Sequence, residues 1–135
     1  MATTFSLLCQ RCGLSNREAA DYLSVRLDTA KSWSAGRNPA PVGAIGELRQ
    51  LYARIERAAA GAVVEIDCQT IKHGAPDSVE LGLSSDDHEA QSIGWPCVGA
   101  HAAVLGLVAA RVDVPLAIVP RGSTIATAGA SDAND

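Results

Sequence analysis

The chain has 135 residues, of which 47% are hydrophobic, so it can bury a core and is not disordered throughout. Two Trp, two Tyr and one Phe are too few to form the stacked aromatic platforms that bind single-stranded nucleic acid. The net charge of -4 is unevenly divided: residues 1–60 carry eight basic and five acidic side chains, whereas residues 61–135 carry three and ten. A polyanionic partner would therefore contact the first part of the chain.

The N-terminal sequence has no basic region ahead of a long apolar run, so we expect no signal peptide. The most apolar stretch, Val98 to Ala110, is interrupted by His101 and is shorter than the roughly 20 residues that span a bilayer. These features predict a cytoplasmic protein without a membrane partner. Its four cysteines would then be reduced rather than paired in disulfides.

Two short helices are predicted at the start of the chain. The first runs from Thr4 to Cys12 and ends at Gly13, a residue that readily adopts the left-handed conformation of a helix end. The second is capped by Ser15 or Asn16 and ends near Ser24. Its buried side is predicted to consist of small or apolar residues, namely Ala19, Ala20 and Leu23.

A third helix follows the short turn at residues 24–26. It begins at Leu27 or Asp28 and ends at about Ser34, because the Gly- and Pro-containing segment at residues 35–41 breaks it.

The fourth helix is predicted from about Val42 to Ala60, where apolar residues recur at three- and four-residue steps, and Gly61 is expected to end it.

The pattern changes after Gly61. Residues 63–67 are rich in β-branched side chains and predict a strand, and Val79 to Leu81 predicts a second one. The polar stretch from Leu83 to Ser92 is expected to begin as a loop.

Trp95-Pro96 is predicted to start a helix that continues to about Arg111, because Pro is favoured at the first helical position. This helix is apolar on nearly all sides, so it must be buried in the fold or against a second copy, and His101 is expected to be a hydrogen-bonded interior or interface group. Pro115 to Pro120 predicts an edge strand, and Gly122 to Asp135 predicts a mobile tail.

The second and third helices have the features of a helix-turn-helix. Small residues in the first helix of such a pair let the second pack closely, and Ala19 and Ala20 meet this requirement. Ala30 and Trp33 supply the inner face of the second helix, so Trp33 is interpreted as a core anchor. The pattern predicts that the outer face of this second helix contacts DNA.

The predicted DNA-binding residues are polar or charged side chains on that outer face and at its ends. Arg17 and Arg37 flank the motif, where contacts to phosphate position a protein without reading sequence. The other side chains can reach base edges or phosphates. The complete set is Asn16, Arg17, Arg26, Asp28, Thr29, Lys31, Ser32 and Arg37.

Residues 14–20 (Leu-Ser-Asn-Arg-Glu-Ala-Ala) and 29–41 (Thr-Ala-Lys-Ser-Trp-Ser-Ala-Gly-Arg-Asn-Pro-Ala-Pro) resemble phage repressor/Cro-type, or Xre-like, helix-turn-helix regulators. The ending Trp-x-x-Gly-Arg-x-Pro-x-Pro is the most specific part of the resemblance. Ser34 and Ser24 depart from it, since Glu and Gly are usual at these positions. The resemblance implies an operator-binding domain at the N-terminus.

Gly94-Trp95-Pro96 and the apolar helix after it resemble the C-terminal part of anti-CRISPR-associated repressors. In that group the C-terminal part mediates dimerisation, and the protein represses its own operon. The resemblance and the apolar pattern together predict a dimerisation surface formed by Trp95, Val98, Ala102, Leu105 and Val108.

Two groups of residues could suggest other chemistry. Cys9 and Cys12 have the spacing of a zinc-ligand pair or redox couple, but no second pair follows, so Cys12 is interpreted as a small buried hydrophobe. The acidic run at residues 86–89 is interpreted as a solvated loop or helix start. With no phosphate-binding glycine loop or nucleophile elbow, we expect no enzyme activity, metal or cofactor.

The sequence as a whole predicts an α+β, mainly α fold. Residues 1–60 are expected to form a four-helix, helix-turn-helix DNA-binding domain, residues 61–121 a small α+β dimerisation module, and residues 122–135 a flexible tail. The predicted function is a homodimeric repressor that binds an inverted-repeat operator in double-stranded DNA. The alternative is an antitoxin-like protein whose C-terminal half binds a protein partner, with DNA binding as autoregulation; RNA binding is left open.

Overall fold

The computed structural model describes residues 2–122, which are mainly helical and include one two-stranded parallel sheet. The elements in chain order are α1 (Thr4–Arg11), α2 (Asn16–Leu23), α3 (Leu27–Ala35), α4 (Val42–His73), β1 (Val79–Leu83), α5 (Asp87–Ser92), α6 (Val98–Arg111) and β2 (Leu116–Pro120). The predicted α+β, mainly α class is confirmed. The chain divides into two compact units between residues 54 and 55, inside α4.

The first three helices end in the same way. Each is followed by one residue in the left-handed region: Gly13 at φ 73°, Ser24 at φ 58° and Gly36 at φ 80°. The N–H group after that residue donates to a carbonyl in the last turn, which is the Schellman motif. The three bonds are Leu14 to Cys9 at 2.9 Å, Val25 to Ala20 at 2.9 Å and Arg37 to Ser32 at 3.0 Å.

Side chains cap the start of α1 and of α2. The Ser15 hydroxyl accepts the Glu18 N–H at 3.2 Å, and the Glu18 carboxylate accepts the Ser15 N–H at 2.9 Å. This reciprocal pair is a capping box, so Ser15 rather than Asn16 caps α2. Thr3 and Ser6 form the corresponding box at α1.

The core of the first unit is made of apolar side chains from all four helices. Cys12 is fully buried and its Sγ donates to the Leu48 carbonyl at 3.5 Å, which confirms the interpretation of this residue as a buried hydrophobe. Burial raises the pKa of the Cys9 thiol to about 11, so little of the reactive thiolate forms at neutral pH. The buried residues from α1 to α4 in this unit are Phe5, Cys9, Cys12, Leu14, Ala19, Ala20, Leu23, Ala30, Ala44, Leu48 and Leu51.

Helix α4 is longer than predicted, because it continues through Gly61 to His73. The predicted strand at residues 63–67 is wrong, since these residues are helical. Gly61 is exposed and costs the helix about 1 kcal/mol relative to Ala, which is too little to end it among alanines. Beyond residue 54, the buried residues keep helical spacing rather than the alternation of a strand: Ile55, Ala59, Ala62 and Ile66.

The second unit contains the sheet. Strands β1 and β2 are parallel, with Val79 opposite Leu116 and Leu83 opposite Pro120, so the strands predicted at residues 79–81 and 115–120 are confirmed. A Cβ atom at Gly82 would lie 3.0 Å from the Cα atom of Arg121, so any larger residue in β1 would require the backbone at Arg121 to shift. Of the predicted tail, only Gly122 belongs to the described residues.

Helix α6 begins at Val98, two residues after the predicted first helical position at Pro96, and the predicted loop before it contains the short helix α5. Acidic side chains cap the N-termini of both α5 and α6. Asp86 caps α5 by accepting the Glu89 N–H at 2.8 Å, which confirms a helix start in this acidic run. The Asp87 carboxylate accepts the Val98 N–H at 2.9 Å and so caps α6 from outside the helix.

The apolar character of α6 is partly explained by burial within the chain. Ala100, Val104 and Val108 are fully buried. No helix within residues 2–122 combines the length and the apolar character needed to cross a membrane.

A buried polar pair links α6 to the end of β1. Ser84 is 3% exposed and His101 is fully buried. The Ser84 N–H donates to Nδ1 of His101 at 3.2 Å, and the Ser84 hydroxyl lies 2.7 Å from the same nitrogen. The expectation that His101 is a hydrogen-bonded interior group is therefore confirmed. The pKa of His101 is lowered to about 4, chiefly by burial and also by the charge of Arg121, while Glu89 acts in the opposite direction.

We expect the stability of the second unit to fall in mild acid. Because the fold favours neutral His101, its contribution is complete above the unfolded pKa near 6.5 and is lost as the pH falls towards 4. Each pKa unit corresponds to about 1.4 kcal/mol, so the loss is about 3 kcal/mol. Urea unfolding of the parent and of His101→Gln, measured between pH 7 and pH 4, tests this. The free energy of unfolding of the variant should lack the decline that His101 causes in the parent.

The matched control is His88→Gln, because His88 is exposed on α5 and its replacement should leave the decline unchanged. If the parent and His101→Gln lose stability in parallel over this pH range, His101 is not the responsible group.

Candidate nucleic-acid interface

Helices α2 and α3 pack against each other across a three-residue turn. Their close approach depends on small buried side chains: Ala19 and Ala30 are fully buried, and Ala20 is 3% exposed. Ser24 turns the chain by adopting the left-handed conformation, and Arg26 in extended conformation precedes α3. The helix pair predicted from the spacing of alanines is thus present in the structure.

The buried position of Ala30 determines which side of α3 is accessible. At 100° per residue, Asp28 and Ser32 lie 200° from Ala30, so they occupy the opposite side of the helix. Asp28 and Lys31 are exposed, whereas Thr29 and Ser32 are half-buried. The outer face of α3 therefore presents carboxylate, ammonium and hydroxyl groups, the kinds of group that bind base edges in a DNA groove.

Four basic side chains belong to the same helix pair and its ends. Arg17 on α2, Arg26 before α3, Lys31 on α3 and Arg37 after α3 are all exposed. Within residues 2–122, none of the four forms an ion pair with a carboxylate. Their charges are therefore available to a polyanion.

Asn16 has a structural contact in addition to its predicted role. Its Oδ1 accepts a hydrogen bond from the Ser34 hydroxyl at 2.7 Å, which joins the start of α2 to the last turn of α3. Ser34 stands where Glu is usual in the resembled family, and the shorter side chain donates to a neutral amide. The Thr3 hydroxyl donates to the Ser34 carbonyl at 3.1 Å, so the end of α3 is held by two other segments.

Trp33 packs against the buried Phe5 but is itself only half-buried, so its interpretation as a core anchor is confirmed in part. Its ring meets the ring of Phe5 edge to face, with centroids 5.5 Å apart and an interplanar angle of 75°. Phe5 is 1% exposed and Trp33 is half-buried.

Asn38 is not among the residues that the sequence predicts to bind DNA. Its Nδ2 donates to the Ser32 hydroxyl at 2.7 Å, although Asn38 lies beyond the end of α3. The pairing depends on the path of the chain after Gly36. The only sequence signal for it is a polar residue shortly after a left-handed glycine.

The residues predicted for dimerisation differ in accessibility. Trp95, Leu105 and Val108 are at most 4% exposed within a single chain, so they already serve as core residues. Val98 is half-buried and Ala102 is exposed. A role for α6 in dimerisation stays a prediction, and it would depend on Val98 and Ala102.

The described part of the chain contains no group of three or more His, Cys, Asp or Glu side chains arranged to hold a metal ion. Two carboxylates of the acidic run at residues 86–89 accept backbone N–H groups at helix starts, as described above. The carboxylate of Glu89 accepts the Ser85 N–H at 3.2 Å.

Comparison with known proteins gives no relative on which a family can be based, since no protein-family model and no curated protein matches the chain.

The left-handed turn between α2 and α3 gives a test of this local geometry. Ser24 is the one non-glycine residue with positive φ in the described chain, and a side chain in this region costs about 1 kcal/mol. Ser24→Gly should therefore raise the free energy of unfolding by about 1 kcal/mol, as measured by urea or thermal unfolding.

Ser24→Val is the opposing control, because a β-branched residue tolerates this conformation poorly and should lower stability. A Ser24→Gly variant that is less stable than the parent would contradict the left-handed assignment.

Proposed function

We propose that the chain is a sequence-specific double-stranded DNA-binding protein that uses α2 and α3 as a helix-turn-helix. The observation that carries the proposal is the outer face of α3, which is polar opposite the buried Ala30 and is accompanied by four exposed cations. The recognition helix of such a motif lies in the major groove, which is wide enough to admit an α-helix.

The side chains have two kinds of role in this arrangement. Arg17 and Arg37 contact phosphates on either side of the groove and fix the position of α3. Lys31 donates to guanine O6 or N7, and Asp28 accepts from the amino group of cytosine. Arg26, Thr29 and Ser32 supply further contacts to DNA. Asn16, at the start of α2, contacts the DNA backbone through its Nδ2, which remains available to donate.

The second unit would join two copies, so that the protein acts as a homodimeric repressor that blocks a promoter. Exposed apolar side chains of this unit support an association role, namely Val64 at 60%, Ile71 at 84% and Ile118 at 52% exposure. A twofold dimer requires an inverted-repeat operator whose half-sites are centred about 10 base pairs, or a multiple of that, apart.

Lys31 and Arg37 offer a matched pair of tests. Lys31→Ala should reduce the affinity for the selected operator by about 1–3 kcal/mol and relax specificity at one base pair, because it removes a base contact. Arg37→Ala should weaken binding to all sequences alike and reduce the salt slope of binding by about one, because it removes a phosphate contact. Fluorescence anisotropy with operator and scrambled duplexes, over a salt series, measures both quantities.

Arg111→Ala is the control for loss of one positive charge, since Arg111 is exposed at the end of α6 in the other unit. The assignment of α3 as the recognition helix fails if Lys31→Ala binds operator as tightly as the parent at equal salt. Arg37→Ala is expected to preserve the ratio of specific to non-specific affinity.

A further inference from the structure

We propose that Asn38 sets the base preference of Ser32 by fixing the direction in which the Ser32 hydroxyl donates. The inference rests on the proposed DNA-binding function and adds a residue outside the recognition helix to the determinants of specificity. Asn38 is a positioning residue in this proposal, because it acts through Ser32.

Ser32 lies at the centre of the outer face of α3, on the side opposite the buried Ala30. It is nevertheless half-buried, and the Asn38 amide lies against its hydroxyl with Nδ2 2.7 Å from Oγ. The Ser32 hydroxyl on this outer face is thus already hydrogen-bonded within the chain.

The backbone holds Asn38 in this place. Gly36 adopts the left-handed conformation, and the Arg37 N–H donates to the carbonyl of Ser32 at 3.0 Å. The chain therefore folds back over the last turns of α3, which returns residue 38 to Ser32. The positive φ of Gly36 favours glycine at this turn, and a Cβ atom there would also make a tight contact, 3.3 Å, with Cγ2 of Thr3.

The hydrogen bond restricts what Ser32 can offer to DNA. A serine hydroxyl has one hydrogen and two lone pairs. Asn38 donates to one lone pair, so the hydroxyl hydrogen points away from the amide and is available to a partner outside. Acceptors in the major groove are guanine O6 and N7, adenine N7 and thymine O4, whereas cytosine presents an amino donor. The hydroxyl thus offers the groove its hydrogen and only one remaining lone pair, so Ser32 should favour an acceptor over the cytosine amino group at the contacted position.

The test is selection of bound sequences from a randomised duplex library with the full chain and with the variants Ser32→Ala, Asn38→Ala and the double variant. Ser32→Ala and Asn38→Ala should relax preference at the same single base pair. The affinity for duplexes that carry the preferred base should fall about three- to tenfold, as expected for the loss of one neutral hydrogen bond. The double variant should lose no more than Ser32→Ala alone, because the two residues act through one contact.

Asn38→Asp provides a directional readout that a structural role would not produce. The carboxylate accepts the Ser32 hydrogen, so the hydroxyl presents only lone pairs to the groove. Preference at the same base pair should then move towards a base with an amino donor, cytosine or adenine. Arg37→Ala is the control, because it should weaken binding to all sequences and leave the base preference at this position unchanged.

The outcomes separate the two proposals. If the parent enriches no sequence, the proposed function itself fails and the role of Asn38 fails with it. If the parent enriches an operator but Asn38→Ala weakens binding to every sequence equally, the DNA-binding function stands and Asn38 does not position Ser32. Thermal unfolding of each variant verifies that the domain is folded; Asn38 is exposed, so its replacement should preserve the fold.

Discussion

The close approach of α2 and α3 is the constraint on which the rest of the first unit depends. Ala19 and Ala30 have no atoms beyond Cβ and are fully buried, so the two helices can pack at a distance that larger residues would prevent. With Ala30 facing inward, Asp28 and Ser32 must face outward. The hydrogen bond from Ser34 on α3 to Asn16 on α2 requires the same packing, and the Thr3 hydroxyl at the start of α1 also bonds the end of α3.

The sequence predicted this part of the fold well because its determinants are local. Capping residues, left-handed helix ends and alanine spacing act over short stretches of chain. The predictions for Gly13 and Ala30 are therefore confirmed, and the cap of α2 is Ser15, one of the two residues predicted for it. The positions of the charged side chains on α3 followed from the same helical periodicity. The bond from Asn38 to Ser32 did not, because it depends on where the chain goes after Gly36.

The second unit was predicted less well because its determinants are less local. Residues 63–67 have strand-like composition, but the buried positions of Ala62 and Ile66 at helical spacing override that preference. The start of α6 is set by a carboxylate on α5, eleven residues before Val98, and not by the proline that precedes the helix. Sequence periodicity does not reveal that partner.

The pairing of β1 with β2 bears on how the molecule acquires its structure. Val79 meets Leu116 across 37 positions of the chain, and α5 and α6 lie between the two strands. Contacts between residues so far apart in the chain stabilise the fold only after a large loop has closed, and the entropy cost of that closure slows folding. The helices up to residue 54 depend on nearer neighbours and leave the ribosome earlier. The packed pair of α2 and α3 can therefore form on the nascent chain before the partner strand of β1 has been synthesised.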